Sequence, residues 1–183
     1  MDNGASSYLR FLNGENEAFV EIIREYKDGL VLFINSFVHN IYVSEEAADE
    51  AFLKLYVSKP RYRSGYSFKT WLYTIGRNTA LNYLKKAKRI SAKPLDDYYY
   101  ISDETDLEAE YIKGEQNIIL HQAISSLKKE YAQVLYLIYF EELTNTEAAQ
   151  IMGKSQRQLS DLIYRAKNSL RSELERRGYD GQI

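Results

Sequence analysis

The sequence predicts an all-α protein built from two small helical domains that are joined by an acidic linker. Only two prolines occur in 183 residues, and several segments repeat apolar residues with the 3.6-residue period of a helix. Hydrophobic residues make up 45% of the chain, which is enough for a core in each domain. We expect domains over residues 8–92 and 116–178, with the linker over residues 93–115.

Three helices are predicted in the first domain. The first covers about residues 17–39 and carries a one-sided apolar stripe. The second is predicted to begin with Ser44 as its N-cap, because Glu45 and Glu46 would then lie in the first turn, where the helix dipole favours anions. Ser67 is predicted to cap the third helix, which ends in a basic segment over residues 85–89.

Charge is strongly segregated along this first domain. Ten basic residues and no acidic one lie between Lys59 and Lys93, although the net charge of the chain is -2. Such a block favours a polyanionic partner, because mutual repulsion among its cations opposes folding. Aromatic residues such as Tyr62 and Tyr66 are interleaved with the cations and could stack on bases, which suits single-stranded or melted nucleic acid. For Trp71 and Phe68, a place in the core is the preferred interpretation.

The composition inverts in the predicted linker. Seven acidic residues and no basic one lie between Leu95 and Tyr111. This composition predicts a solvated spacer. A second interpretation is an acidic segment that mimics nucleic acid inside a basic channel.

The second domain contains two helix starts eleven residues apart. Thr144 with Glu147, and Ser155 with Gln158, are spaced as capping boxes, and Gly153 lies between them. A helix, a glycine-containing turn and a second helix predict a helix-turn-helix, with residues 155–168 as the recognition helix. An ordinary helical hairpin is the alternative on this evidence alone.

Composition also argues against several classes of function. The absence of cysteine excludes disulfides, thiolate metal sites and cysteine nucleophiles. His39 and His121 are far apart in sequence, and no phosphate-cradling glycine loop occurs. We therefore expect no enzyme activity, no cofactor and no metal. The longest apolar run is too short to span a membrane and no secretory signal is seen, so we expect no membrane insertion and a cytoplasmic location.

Motifs at both ends of the chain resemble one family. The segment 53–56 (LKLY) and the run 67–78 (SFKTWLYTIGRN) resemble region two of bacterial sigma factors. The segments 148–153 (AAQIMG) and 164–167 (YRAK) resemble their region four. There is no room for a full region three, so the layout is similar to the extracytoplasmic-function group of the sigma-70 family.

The resemblance implies a non-enzymatic subunit that binds core RNA polymerase, recognises promoter DNA and helps to open it. The segment expected to grip the polymerase clamp helices contains Asp49, Glu50, Phe52, Leu53 and Leu55. The residues expected at the −10 element are Arg61, Tyr62, Arg63, Ser67, Lys69, Arg77, Asn78, Asn82 and Lys85. Within this set, the loop 61–67 matches the stretch that holds an extruded base. The residues expected at the −35 element are Ser155, Arg157, Gln158, Ser160, Asp161, Arg165 and Lys167, with the last two on phosphates.

The recognition helix departs from the family pattern. Ser160 and Leu162 stand where basic residues are usual. Asp161 would place a negative charge against DNA, which is itself negatively charged. Two alternatives stay open: a helix-turn-helix regulator that never engages polymerase, and a degenerate adaptor that binds polymerase without initiating, to which Asp161 and Leu162 point. The basic block with its aromatic residues argues against the first. Sigma factors of this group are commonly held by an anti-sigma factor, although no residue here identifies such a partner.

Overall fold

The computed structural model describes residues 3–62, 65–91 and 115–178, with the side chains of residues 88–91 and 115–117 excepted. These residues form eight helices and contain no strand, which confirms the all-α prediction. The helices are α1 (Asn3–Leu12), α2 (Asn16–Val38), α3 (Ile41–Ser58), α4 (Phe68–Ser91), α5 (Glu115–Ser125), α6 (Lys129–Tyr139), α7 (Asn145–Met152) and α8 (Gln156–Arg176). The acidic segment 95–111 and Arg63 lie outside the described residues.

Helix α2 is the central element of the first group of helices. It packs against α1, α3 and α4, and its side chains Leu30, Phe33, Ile34 and Phe37 are fully buried. Its bounds lie within one residue of the predicted 17–39. The apolar stripe read from the sequence therefore marks the core of this domain.

Helix α1 was not predicted. Tyr8 and Phe11 on this helix are fully buried, and the Tyr8 hydroxyl donates a hydrogen bond to the backbone carbonyl of Pro60 at 2.8 Å. These contacts join the N-terminal helix to the loop that precedes α4. The helix that contains residue 8, the predicted domain boundary, begins at Asn3.

The predicted start of α3 was wrong by about one turn. The N-cap is Asn40, whose side-chain oxygen accepts a hydrogen bond from the Val43 backbone N–H at 2.9 Å. Ser44 lies inside the first turn, fully buried, and its hydroxyl donates to the Asn40 carbonyl at 2.8 Å. Ser67, in contrast, precedes α4 as predicted, and its hydroxyl accepts from the Thr70 backbone N–H at 3.3 Å.

The second group of helices contains the predicted helix-turn-helix. Both capping boxes are formed, at Thr144 for α7 and at Ser155 for α8. Gly153 ends α7 in the left-handed region at φ 62°, a conformation that glycine adopts without steric cost. Helix α8 continues past the predicted end at residue 168, because Leu170 and Leu174 extend its buried stripe.

The two groups of helices pack directly on each other. Helix α2 contacts α6, and α4 contacts α7. The rings of Phe33 and Tyr136 lie 6.2 Å apart across this junction. In the part of the chain that the structure describes, no helix has the length and apolar character needed to cross a membrane.

Candidate nucleic-acid and polymerase interface

Helix α4 presents a polar strip made of Asn78, Asn82 and Lys85. The spacing of four and three residues places these side chains on one side of the helix, and all three are exposed. The opposite side is buried through Leu72 and Ala80, which pack into the first domain. The structure therefore directs two amides and one cation outward from a rigid helix.

The loop before α4 is anchored by aromatic contacts. The Tyr62 ring lies 5.3 Å from Trp71 and 5.8 Å from Phe68, and its hydroxyl donates to the Tyr66 carbonyl at 2.5 Å. Phe68 is fully buried and Trp71 is partly buried, as the core interpretation of these two rings requires. Arg61 is exposed at the start of this loop.

Three further residues of the predicted −10 set, Ser67, Lys69 and Arg77, contact the second group of helices. The Lys69 ammonium lies 2.7 Å from a carboxylate oxygen of Glu141. The Ser67 hydroxyl donates to Glu147 at 2.7 Å, and Arg77 Nε donates to the Gln133 side-chain oxygen at 2.6 Å. Burial lowers the pKa of Arg77, and nearby Glu130 opposes that shift. The predicted −10 set therefore contains an exposed strip on α4 and a second subset whose side chains bind residues of the second group of helices.

Helix α8 exposes the side that was predicted to face the −35 element. All seven residues predicted there are exposed. The buried side contains Leu159, Leu162 and Ala166. Leu162 therefore belongs to the core, so its difference from the basic residue usual in the family follows from burial.

Two further features of this face come from the structure. Tyr164 is 69% exposed, and it lies three residues after Asp161 and seven after Arg157, on the same side of the helix. It was absent from the predicted set, although this spacing was available in the sequence. The Lys167 ammonium lies 5.5 Å from the centre of the Tyr139 ring, which holds this cation beside the end of α6.

Helix α3 carries the residues predicted to bind the polymerase, and they divide by burial. Phe52 and Leu55 are 4% and 0% exposed, so both pack in the core of the first domain and cannot form a contact surface. Leu53 is 58% exposed. The flanking acids are paired, Asp49 with Lys27 at 3.2 Å and Glu50 with Lys54 at 2.6 Å.

An apolar patch extends from Leu53 toward the C-terminal end of α3. Tyr56 and Val57 are 45% and 69% exposed, and the Tyr56 ring also stacks on Phe11 of α1 at 5.4 Å. Sequence reasoning missed these two residues. Their position at three and four residues after Leu53 was the available signal.

Comparison with known families matches both groups of helices in order. The model of sigma-70 region 2 matches residues 22–90, and the model of sigma-70 region 4 matches residues 117–170. The chain belongs to the extracytoplasmic-function group of the sigma-70 family. It is an RNA polymerase sigma factor, a class of transcription initiation factor that acts without enzymatic chemistry of its own.

Curated relatives cover nearly the whole sigma factor. The ECF RNA polymerase sigma factor SigW of Bacillus subtilis is 26% identical over 88% of this chain and 91% of its own length. The RNA polymerase sigma-H factor of Pseudomonas aeruginosa is 28% identical and covers 91% of each chain. The ECF RNA polymerase sigma-E factor of Escherichia coli is 25% identical over the same shares.

Two solved structures have the same fold. CnrH in complex with the cytosolic domain of CnrY matches with a TM-score of 0.65 and 17% identity, covering 94% of this chain and 95% of that one. The sigma factor RpoE of Bartonella quintana, in complex with the anti-sigma factor NepR, matches with a TM-score of 0.67 and 19% identity. This match covers 86% of the present chain and 96% of the solved RpoE chain.

Proposed function

We propose that this sigma factor reads the −10 element with α4, reads the −35 element with α8, and docks on core polymerase through α3. The observation that carries the proposal is the exposed strip of Asn78, Asn82 and Lys85 on α4. A side-chain amide can donate to and accept from one base edge, whereas a lysine ammonium contacts a phosphate as a point charge. The strip therefore combines base reading with backbone attachment on one rigid surface.

The loop 61–67 is proposed to receive an unstacked base of the −10 element. Tyr62 packs against Trp71 and Phe68, whereas Tyr66 is 45% exposed and Arg61 is exposed at the start of the loop, so the loop offers one aromatic ring and one cation to a ligand. Aromatic stacking contributes about 1–3 kcal/mol per base and tolerates different sequences. This contribution offsets the cost of removing a base from the duplex stack.

The −35 element is proposed to contact the exposed side of α8. Arg157 and Gln158 lie at its N-terminal end, where a recognition helix reaches base edges. Asp161 can accept a hydrogen bond from the amino group of cytosine. Arg165 and Lys167 are further along the helix and are assigned to phosphates.

Core polymerase is proposed to cover the apolar patch of Leu53, Tyr56 and Val57. Exposed aromatic and aliphatic side chains near the centre of an interface contribute most of the binding energy, and charged residues form the rim. Asp49 and Glu50 stand at that rim on the same helix. Phe52 and Leu55 support the patch from inside the core.

The proposed function also includes a cellular location, a further protein partner and the limits of the two domains. The chain is proposed to act in the cytoplasm, where polymerase and promoter DNA are found, and to have no catalytic site. An anti-sigma factor is proposed as a further partner, because the sigma factor RpoE of Bartonella quintana was solved in complex with the anti-sigma factor NepR. The domain limits 8–92 and 116–178, with a linker over 93–115, remain part of this proposal.

Transcription by a reconstituted holoenzyme tests the role of α4. Asn78→Ala should lower initiation at the cognate promoter, by a factor that corresponds to the roughly 1–3 kcal/mol of one base contact. Binding to core polymerase should stay unchanged. Asn13→Ala is the matched control, because Asn13 is exposed in the turn between α1 and α2. Normal transcription by the Asn78 variant would remove this residue from the −10 set.

Affinity for core polymerase tests the role of α3. Leu53→Ala should weaken binding of the chain to core, measured by fluorescence titration. Leu9→Ala removes the same side chain from α1, where Leu9 is 52% exposed, and should bind core normally. Equal affinities of the two variants would show that the polymerase docks elsewhere.

A further inference from the structure

Helix α1 lies outside the part of the chain that the model of sigma-70 region 2 matches. That match begins at residue 22, whereas α1 covers Asn3–Leu12. The helix nevertheless packs against both α2 and α4, and its aromatic residues Tyr8 and Phe11 are fully buried. Two large rings from the N-terminal helix therefore contribute to the core from which the loop 61–67 and α4 emerge.

Helix α1 holds the two residues that precede the loop 61–67. The Tyr8 hydroxyl donates a hydrogen bond to the Pro60 carbonyl at 2.8 Å. Burial raises the pKa of Tyr8 to about 12, so this hydroxyl keeps its proton at neutral pH. The Lys59 ammonium lies 4.7 Å from the centre of the Phe11 ring, within the range of a cation–π contact. Lys59 ends α3 in the left-handed region at φ 42°, which is sterically unfavourable for residues other than glycine. Contacts from α1 therefore stabilise a bend that the local backbone disfavours.

The same helix holds the chain where it leaves the loop. The Tyr8 ring lies 5.5 Å from Phe68 and 5.3 Å from Trp71, both in the first turn of α4. A Cβ atom at Gly4 would lie 2.5 Å from a carbon of the Phe68 ring, so α1 approaches α4 as closely as a glycine permits. Phe68 and Trp71 also contact the Tyr62 ring. Tyr8 therefore contacts the chain on both sides of the loop.

The groups that the loop offers to a base extend from this framework. The Tyr62 hydroxyl donates to the Tyr66 carbonyl at 2.5 Å, which ties the exposed Tyr66 ring to the anchored Tyr62 ring. Arg61 follows Pro60 directly, and its side chain is exposed. A loop that is held in its binding conformation loses less conformational entropy when a ligand binds. Anchoring the loop therefore strengthens base binding without any contact between the anchor and the base.

We propose that Tyr8 is a positioning residue for base recognition, whose hydroxyl and ring hold the two ends of the loop 61–67 in the conformation that receives an unstacked base. This inference rests on the proposed role of that loop at the −10 element. Tyr8 is fully buried, so it acts through the loop and not by touching DNA. When one end of the loop is released, the apparent affinity for the base falls with the fraction of molecules in the receiving conformation.

Binding of two kinds of oligonucleotide to the reconstituted holoenzyme tests the inference. The probe is the single-stranded −10 segment of a promoter located by transcript mapping, either intact or with each position made abasic in turn. With the wild type, loss of the base that the loop receives should weaken binding roughly 5- to 150-fold, as expected for one stacked base. Tyr8→Phe removes only the hydroxyl. This variant should weaken binding of the intact probe about 2- to 12-fold and leave binding of the probe that lacks the received base unchanged.

Two control variants separate a positioning role from a loss of stability. Ile34→Val removes one carbon from a fully buried side chain near the C-terminal end of α2, and its effect on the free energy of unfolding should be similar to that of one lost hydrogen bond. Tyr42→Phe removes a hydroxyl from a tyrosine of α3 that is 48% exposed. Both variants should keep the full difference in affinity between the intact and the abasic probe.

Fluorescence of the free chain tests the anchoring itself. Trp71 is the only tryptophan in the sequence, and its ring lies 5.3 Å from both Tyr8 and Tyr62. Its emission therefore reports on the packing beside the loop. Tyr8→Phe should increase the quenching of Trp71 by acrylamide, because release of Pro60 loosens the contact between Tyr62 and Trp71. Ile34→Val should be quenched like the wild type. Equal quenching in Tyr8→Phe and the wild type would overturn the anchoring.

The wild-type titration separates this inference from the proposed function of the loop. If no abasic position weakens binding to the wild-type holoenzyme, the loop receives no base, and its proposed function fails together with the inference. If the wild type loses affinity at one abasic position and Tyr8→Phe shows the same loss in full, the role of the loop stands and the role of Tyr8 is wrong. Equal weakening of intact and abasic probes by Tyr8→Phe would also overturn the inference, because a merely structural role predicts that result.

Discussion

Replacing Arg165 by alanine should reduce the salt dependence of promoter binding by the contribution of one phosphate contact. Arg165 is exposed on α8, beside the buried side that contains Leu159, Leu162 and Ala166. Each phosphate neutralised on duplex DNA adds about −0.9 to the slope of log affinity against log salt. One lost contact changes the affinity ratio between wild type and variant roughly 3.5-fold when salt rises from about 50 to 200 mM.

The measurement is a salt titration of holoenzyme binding to a promoter fragment by fluorescence anisotropy. The phosphate contacts of the polymerase contribute equally to the slope of every variant, so they cancel when two slopes are subtracted. Arg176→Ala is the matched control on the same helix, because Arg176 is paired with Glu173 at 2.7 Å within the chain. We expect the Arg165 variant to have a slope shallower by about 0.9 and the Arg176 variant to match the wild type. Equal slopes in all three proteins would refute the assignment of Arg165 to a phosphate.

Three further predictions concern folding. Phe68→Ala should lower the free energy of unfolding by about 3–5 kcal/mol, since Phe68 is fully buried among aromatic rings; a melting temperature within about 2 °C of the wild type would contradict it. Ser155→Ala should cost about 1 kcal/mol in urea unfolding by removing the cap of α8, whereas the nearby Ser160→Ala should cost much less. Hydrogen bonds from Arg176 and Arg177 lower the pKa of Glu173 from 4.5 to about 2, so its stabilising contribution is present above pH 4.5 and is lost as the pH falls toward 2. The stability difference between wild type and Glu173→Gln should therefore shrink over that range, and a constant difference would contradict the pairing.

Local signals in the sequence were sufficient for most helices. Apolar periodicity located α2, and the side chains of Thr144 and Ser155 located the starts of α7 and α8. Helix α3 was misplaced because both Asn40 and Ser44 are good N-cap residues, and the choice between them depends on the fold of the preceding chain. Helix α1 was missed because it is short, and its stability comes from burying Tyr8 and Phe11 against distant segments.

The sequence indicated which helices carry the candidate site residues, but not which of these residues are buried or paired within the chain. Spacing and the family resemblance located the exposed strip on α4 and the exposed side of α8. Burial removed Phe52 and Leu55 from the polymerase surface, since a helix stripe alone does not tell which apolar residue faces solvent. The pairing of Lys69 with Glu141 joins residues 72 apart in sequence, and no local pattern indicates such a contact.

Promoter-specific transcription with core polymerase is the most direct test of the central claim that this chain is a sigma factor that uses α3 and α4. Purified core from the same source would be supplied with the wild-type chain or with Leu53→Ala, and transcript start sites would be mapped. We predict starts at discrete sites preceded by −10 and −35 elements with the wild type, and a marked loss with the variant. Random initiation that is the same with and without the chain, although chain and core are both folded, would contradict the account.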